Sequence, residues 1–231
     1  MNKTIFLLTI WLSIVCSASC QEASFAQLYP KECQTAKDFY YQHKTLFEKT
    51  AKNIGFKPQM LFAIVAPEIA QYSNWGDKVE TYALKVLYVQ GGTSYADFSI
   101  GYFQMKPSFV ELIEQTASLD TGLKTKFDAK LFYKPTESES RAALIDRLIT
   151  VEWQLTYLSI FCEIVQKRFS NLSFSNFEEQ LRFYASAYNC GFQKSEQEIN
   201  KLSQKALFPK FSQKKFKYSD LSVWFYQEIM K

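Results

Sequence analysis

Helical periodicity runs through almost all of this chain and fails in one place, "TSYADFSIGYFQM" at 93–105. With only 7 glycines and 6 prolines in 231 residues, the chain lacks the turn residues that a many-stranded fold needs. The expectation is a mainly α protein with at most a small β-hairpin, placed in 93–105. No internal repeat, low-complexity tract or linker divides the sequence, so residues 21–231 read as a single domain. At 47% hydrophobic and 22% charged residues, that length suffices for one sizeable core.

Local signals set the expected boundaries. A helix over 33–53 carries Phe39, Tyr40, His43, Leu46, Phe47 and Ala51 on one face, with Gly55 as its stop. His43 on that face reads as a hydrogen-bonded core histidine. Pro58 fits the first turn of the next helix. Pro67 lacks the N–H that would reach the Ala63 carbonyl, so that helix should kink or end there. A further helix, 75–92, closes at Gly91 and Gly92, and Pro107 opens one through Ala117. After a polar connection (118–136), Thr136 and Glu139 form a capping-box signature for one long helix, 137–169. Ser175 and Glu178 repeat the signature and open a helix ending at "AYNCG", where Gly191 suits a left-handed cap. Helices at 195–206 and 220–229 complete the chain.

Residues 1–20 read as an export signal. Lys3 supplies the positive start, "IFLLTIWLSIV" (5–15) the apolar stretch and "SASC" (17–20) the small residues of a cleavage site. The apolar stretch is too short to span a bilayer. Cys20 after Ser17, Ala18 and Ser19 resembles a lipobox, whose cysteine becomes the lipidated N-terminus, although Ser17 stands where leucine is usual. An exported protein of the periplasm or cell envelope, anchored to the membrane through Cys20, is expected; plain secretion is the alternative. Cys33, Cys162 and Cys190 remain, as one bridge or as buried thiols.

His43 is the sole histidine and no CxxC pattern exists, so no metal site, Ser-His-Asp triad or cofactor is expected. The net charge of +4 is concentrated: Lys201, Lys205, Lys210, Lys214, Lys215 and Lys217 occur in 201–217 without an acid. That run is a solvated face or a weak attraction to a polyanion. No nucleic-acid motif accompanies it, and nucleic acid is not an expected partner. The aromatics, 21 Phe, 14 Tyr and 4 Trp, supply core and would also suit a cleft for sugar rings.

The chemistry concentrates in "LFAIVAPEIAQYS" (61–73). If helical, the segment puts Leu61, Ile64 and Glu68 on one face. A lone carboxylate on a buried stripe costs several kcal/mol unless it is paired, hydrogen-bonded or protonated. A carboxyl held against Leu61, Ile64 and Val65 is expected to keep its proton to higher pH, because desolvation disfavours the charged form.

Three blocks follow one another: "TAKNIGFKPQMLFAIVAPE" (50–68), "GYFQMKP" (101–107) and "AYNCG" (187–191). In this order, behind an export signal, they resemble the soluble lytic transglycosylases and the related goose-type lysozymes. The second block is similar to that family's Gly-Leu-Met-Gln signature, and the third to its Ala-Tyr-Asn-Ala-Gly signature. The resemblance implies an all-α lysozyme-like fold that cuts peptidoglycan glycan strands. It also implies Glu68 as the catalytic acid, with Gln104, Tyr188, Asn189 and Tyr102 in contact with substrate.

In that chemistry Glu68 protonates the oxygen between N-acetylmuramic acid and N-acetylglucosamine. The sugar's own C6 hydroxyl then captures the cationic centre, Glu68 takes that proton, and a 1,6-anhydro sugar results. The sequence departs from the family at Ile69, where serine is usual, at Pro67, and in a longer gap between Glu68 and Gly101. Two alternatives stay open. Asp97 could direct a water toward the same centre, making a hydrolytic muramidase, or the fold could bind glycan without turning it over.

Overall fold

The computed structural model describes residues 24–72, 78–127, 137–209 and 212–231. Of these, 73% are helical and none forms a strand, so the protein is mainly α. The elements are α1 (Phe25–Leu28), α2 (Pro30–Gln42), α3 (Lys44–Ile54), α4 (Pro58–Tyr72), α5 (Lys78–Gly91), α6 (Pro107–Ser118) and α7 (Thr121–Lys126). They continue with α8 (Ser138–Leu148), α9 (Val151–Arg168), α10 (Phe177–Cys190), α11 (Glu196–Ser203) and α12 (Tyr218–Ile229). A single 3-10 turn, Gly92–Ser94, follows α5.

The centre is α4. A helix apolar on every side has to sit inside others, and α4 packs against α2, α3, α10 and α12. Leu61, Phe62, Ala63, Ile64, Val65 and Ala66 have no exposed surface. Tyr40 of α2 and Phe47 of α3 both stack on Phe62, with ring centroids 4.9 and 6.0 Å away. Removing a ring from such a packed centre costs about 3–5 kcal/mol.

Several boundaries follow local chemistry. Gly55 caps α3 at φ 71°, Pro58 and Pro107 stand in the first turns of α4 and α6, and α5 ends at Gly91 with Gly92 at φ 69°. Others depart from it. The helix expected over 33–53 is two, broken at His43. The break turns α3 so that Phe47, like Tyr40 before it, reaches α4. His43 is half-buried against Phe39, 4.5 Å between ring centroids, rather than a core histidine.

Pro67 does not end α4, which runs on to Tyr72. The hydroxyl of Tyr218 on α12 donates to the carbonyl of Ile64 at 2.9 Å and so ties α12 to α4 three residues before the proline.

The expected single helix 137–169 is also two, α8 and α9, bent by 100°. Side chains take over the carbonyls at the break: Gln154 Nε2 donates to Leu148 at 2.7 Å and Thr150 Oγ1 to Arg147 at 3.1 Å. Thr136 lies outside the described residues, and α8 has Glu137 as its N-cap, without a side-chain cap bond. The connection read as irregular contains α7, capped by Asp120, which accepts from the Leu123 N–H at 2.9 Å. At α10 the cap is Asn176 rather than Ser175. Asn176 accepts from the Glu179 N–H at 2.9 Å, and Glu179 reaches back to the Ser175 N–H at 2.7 Å.

The segment 93–105 holds one antiparallel bridge, Ile100 to Met105, which closes a tight hairpin with N···O distances of 2.9 and 3.2 Å. Cys33, Cys162 and Cys190 are free thiols; the first two are buried and the third half-buried. Among the described residues no single helix is long and apolar enough to cross a membrane.

Candidate active site around Glu68

From Met60 to Gln71 every residue of α4 is buried except Glu68, which is half-buried. Leu61, Ile64 and Val65, the residues expected to flank its carboxyl, are fully buried. Ile69, at the position where the resembling family has serine, is 1% exposed and belongs to the core. It therefore offers the carboxyl no substitute contact.

Two tyrosines from later helices stand beside this opening. Tyr188 of α10 donates its hydroxyl to the Phe103 carbonyl at 2.6 Å, and Tyr218 donates to the Ile64 carbonyl. Burial pushes both phenols well above their ordinary pKa, and the charge of Glu68 pushes them further. Both hydroxyls stay neutral and are spent on backbone carbonyls. They fix α10 and α12 around the carboxyl rather than serving as proton donors of low pKa.

The hairpin is held from behind by α9. Gln154, fully buried, accepts from the Phe103 N–H at 2.7 Å through Oε1 while its Nε2 donates to Leu148. Gly101 adopts φ 70°, and a Cβ there would overlap Gln154 Nε2 and lie 2.6 Å from the Leu148 oxygen. Only glycine satisfies both demands. Gln104 adopts φ 50°, uncommon for a residue with a side chain. Its Nε2 donates to the Gly101 carbonyl at 2.8 Å. Since Tyr188 touches Phe103 and senses Glu68, the acid, the hairpin carrying Gln104 and the "AYN" helix meet in one neighbourhood.

Tyr102 stacks on Tyr72 and Phe39, with ring centroids 4.5 and 4.6 Å away. Tyr72 is one turn beyond Glu68 on α4 and 38% exposed, so an aromatic ledge begins beside the acid. Asp97 bonds to the start of α6. Its Oδ1 accepts from the Ser108 N–H at 3.0 Å, and its Oδ2 accepts from the Ser108 hydroxyl at 2.8 Å and pairs with Lys106 at 3.4 Å. It thereby closes the first turn of α6.

Asn189 is exposed in the last turn of α10. It lines a cavity of about 40 Å³ that Tyr218 shares and Glu68 does not line. Cys20 lies outside the described residues.

Tyr218, Tyr72 and Gln154 are site-building residues that sequence reasoning missed. Only Tyr72 left a trace, its one-turn spacing from Glu68. Among the described residues no three His, Cys, Asp or Glu side chains gather as metal ligands would. No known family matches this chain, and no curated protein or solved structure matches it either.

Proposed function

We propose that this protein cleaves the glycan strands of peptidoglycan as a lytic transglycosylase on a lysozyme-like fold. Glu68 acts as acid and then base. The observation that carries the reading is the single opening between Met60 and Gln71 of the central helix, which falls at a carboxyl group. A chain that needed only core there would place an apolar residue at 68.

Glu68 protonates the glycosidic oxygen between N-acetylmuramic acid and N-acetylglucosamine. The C6 hydroxyl closes on the cationic carbon, and Glu68 accepts its proton, leaving a 1,6-anhydro sugar. One carboxyl suffices for this route, whereas hydrolysis usually employs two. Gln104 bonds around the reaction centre, Tyr188 braces the hairpin, Asn189 contacts the sugar, and Tyr102 with Tyr72 offers a face for a sugar ring. Export, with anchoring at Cys20, would place the protein against this substrate. The engagement of both Asp97 oxygens by Ser108 and Lys106 favours the anhydro route over a water directed by Asp97.

Glu68→Gln removes the proton and keeps the shape. Release of anhydro-muropeptides from purified sacculi, followed by mass spectrometry, should fall by about 10²–10⁴-fold. Undiminished release rules out the assigned role. Products one water heavier assign the hydrolytic reaction instead. Pelleting with sacculi, without any wild-type turnover, assigns a glycan-binding protein.

A further inference from the structure

We infer that Gln71 is a positioning residue for Glu68: its side-chain amide donates a hydrogen bond to the carboxylate that Glu68 becomes once it has given up its proton. The contact stands on the geometry of α4; its part in turnover rests on the function proposed above.

An orphaned donor is the starting observation. Gln71 is 9% exposed, and its Nε2 is buried without a hydrogen-bond partner among the described residues. A buried donor in that state destabilises the fold, and such an exception in a satisfied core calls for a reason. The nitrogen has essentially no accessible surface, so it is out of reach of a ligand. Its partner has to be a side chain of the protein itself.

Helix geometry names that side chain. Residues three apart on an α-helix stand about 5–6 Å apart at Cβ, and side chains lean over the preceding turn. Gln71 therefore leans toward Glu68, the one residue from Met60 to Ala70 with a polar side chain. Glu68 is also the half-buried member of that run, so its carboxyl can turn between the opening and the amide beneath it. The phenols that flank the carboxyl have given their hydrogens elsewhere. Tyr188 on α10 donates to the Phe103 carbonyl and Tyr218 on α12 to the Ile64 carbonyl, although both respond to the charge of Glu68. Across α2, burial raises the pKa of Cys33 and Tyr40, with Glu32 and Glu48 respectively the leading charges beside them.

An amide N–H bonds a carboxylate more strongly than a neutral carboxyl. Gln71 therefore favours the ionised Glu68, present after the glycosidic oxygen has taken the proton and before the C6 hydroxyl returns one. An interaction that strengthens as charge develops speeds a reaction, whereas one that is uniform throughout does not.

The test uses the full chain carrying Gln71→Leu, which keeps a side chain of similar size and removes the donor. The carboxyl carbon of Glu68 is followed against pH by carbon NMR, its signal identified by its loss in Glu68→Gln. The variant should titrate about one pH unit above wild type, since losing a hydrogen bond to the charged form disfavours that form. Release of anhydro-muropeptides should fall about 10-fold on the low-pH plateau. The limb on which activity declines as Glu68 loses its proton should move to higher pH. Urea unfolding should find the variant at least as stable as wild type, because an orphaned amide has left the core. An unmoved Glu68 titration overturns the contact. A marked loss of stability overturns it too, by showing that the amide is bonded within the core. A moved titration with unchanged release overturns the role in turnover. A moved titration in a protein whose wild type releases nothing from sacculi defeats the proposed reaction and leaves the contact standing.

Discussion

Two short loops are each closed by a single antiparallel bridge, Ile100 to Met105 and Phe208 to Phe216, and they are built in opposite ways. The first is held from inside. Gln154 and Tyr188, both buried, bond the backbone of Phe103, and a side chain occupies the space where a Cβ on Gly101 would go. The second is held by part-buried contacts. Tyr29 and Ser212 share a hydrogen bond of 2.6 Å, Lys215 donates to the Pro209 carbonyl at 2.5 Å, and Phe25 packs edge-on against Phe216 at 5.3 Å. Buried polar atoms with one partner each make a loop rigid and intolerant. Part-buried contacts that leave one partner near solvent cost less to lose. That contrast makes the first hairpin the less tolerant of substitution.

Substitutions should break the contrast in graded steps. Gly101→Ala should cost the most, about 4 kcal/mol, through forced positive φ and the collision with Gln154 and Leu148. Urea unfolding measures it, and a loss below about 1 kcal/mol would mean that the hairpin yields easily. Gln154→Leu should cost about 3 kcal/mol, because the Phe103 N–H and the Leu148 carbonyl both lose their buried partner. Equal stability with Ser212→Ala would erase the distinction between the loops. Ser212→Ala itself should cost less than about 1 kcal/mol, since water can reach the Tyr29 hydroxyl.

The smallest effect concerns pH. Burial lowers the pKa of His43 below its ordinary 6.5, so the unfolded chain binds the proton more readily than the folded one. The penalty is absent above pH 6.5, grows as pH falls through that value, and levels once the folded histidine is also charged. His43 supports Phe39, on which Tyr102 stacks. Stability of His43→Phe measured between about pH 7.5 and about pH 5 should therefore show a flatter slope than wild type.

The features legible in the sequence were those whose cause is local. Gly55, Pro58 and Pro107 punctuate helices through their own backbone geometry, and the failure of periodicity at 93–105 marked the hairpin. Glu68 stood out because its neighbours are apolar, and Tyr188 and Gln104 because they fall in short recognisable blocks. The breaks at His43 and at 149–150 carried no comparable signal. One exists so that two aromatic helices can reach α4, the other because Gln154 and Thr150 serve the α8 carbonyls. Tyr218 and Gln154 escaped notice because their partners are 154 and 51 residues away.

The sequence by itself determined that this chain is helical, where most helices start and stop, and that one carboxyl interrupts its most apolar segment. Those properties follow from backbone conformation and from side-chain hydrophobicity, both set within a few residues. Tertiary structure alone decided that α4 is buried on every side but one and that Tyr188 and Tyr218 flank the remaining side. It also decided that Asp97 closes the first turn of α6. Burial and hydrogen-bond partnership are settled by which distant groups arrive in the same space, and no stretch of sequence holds that information alone.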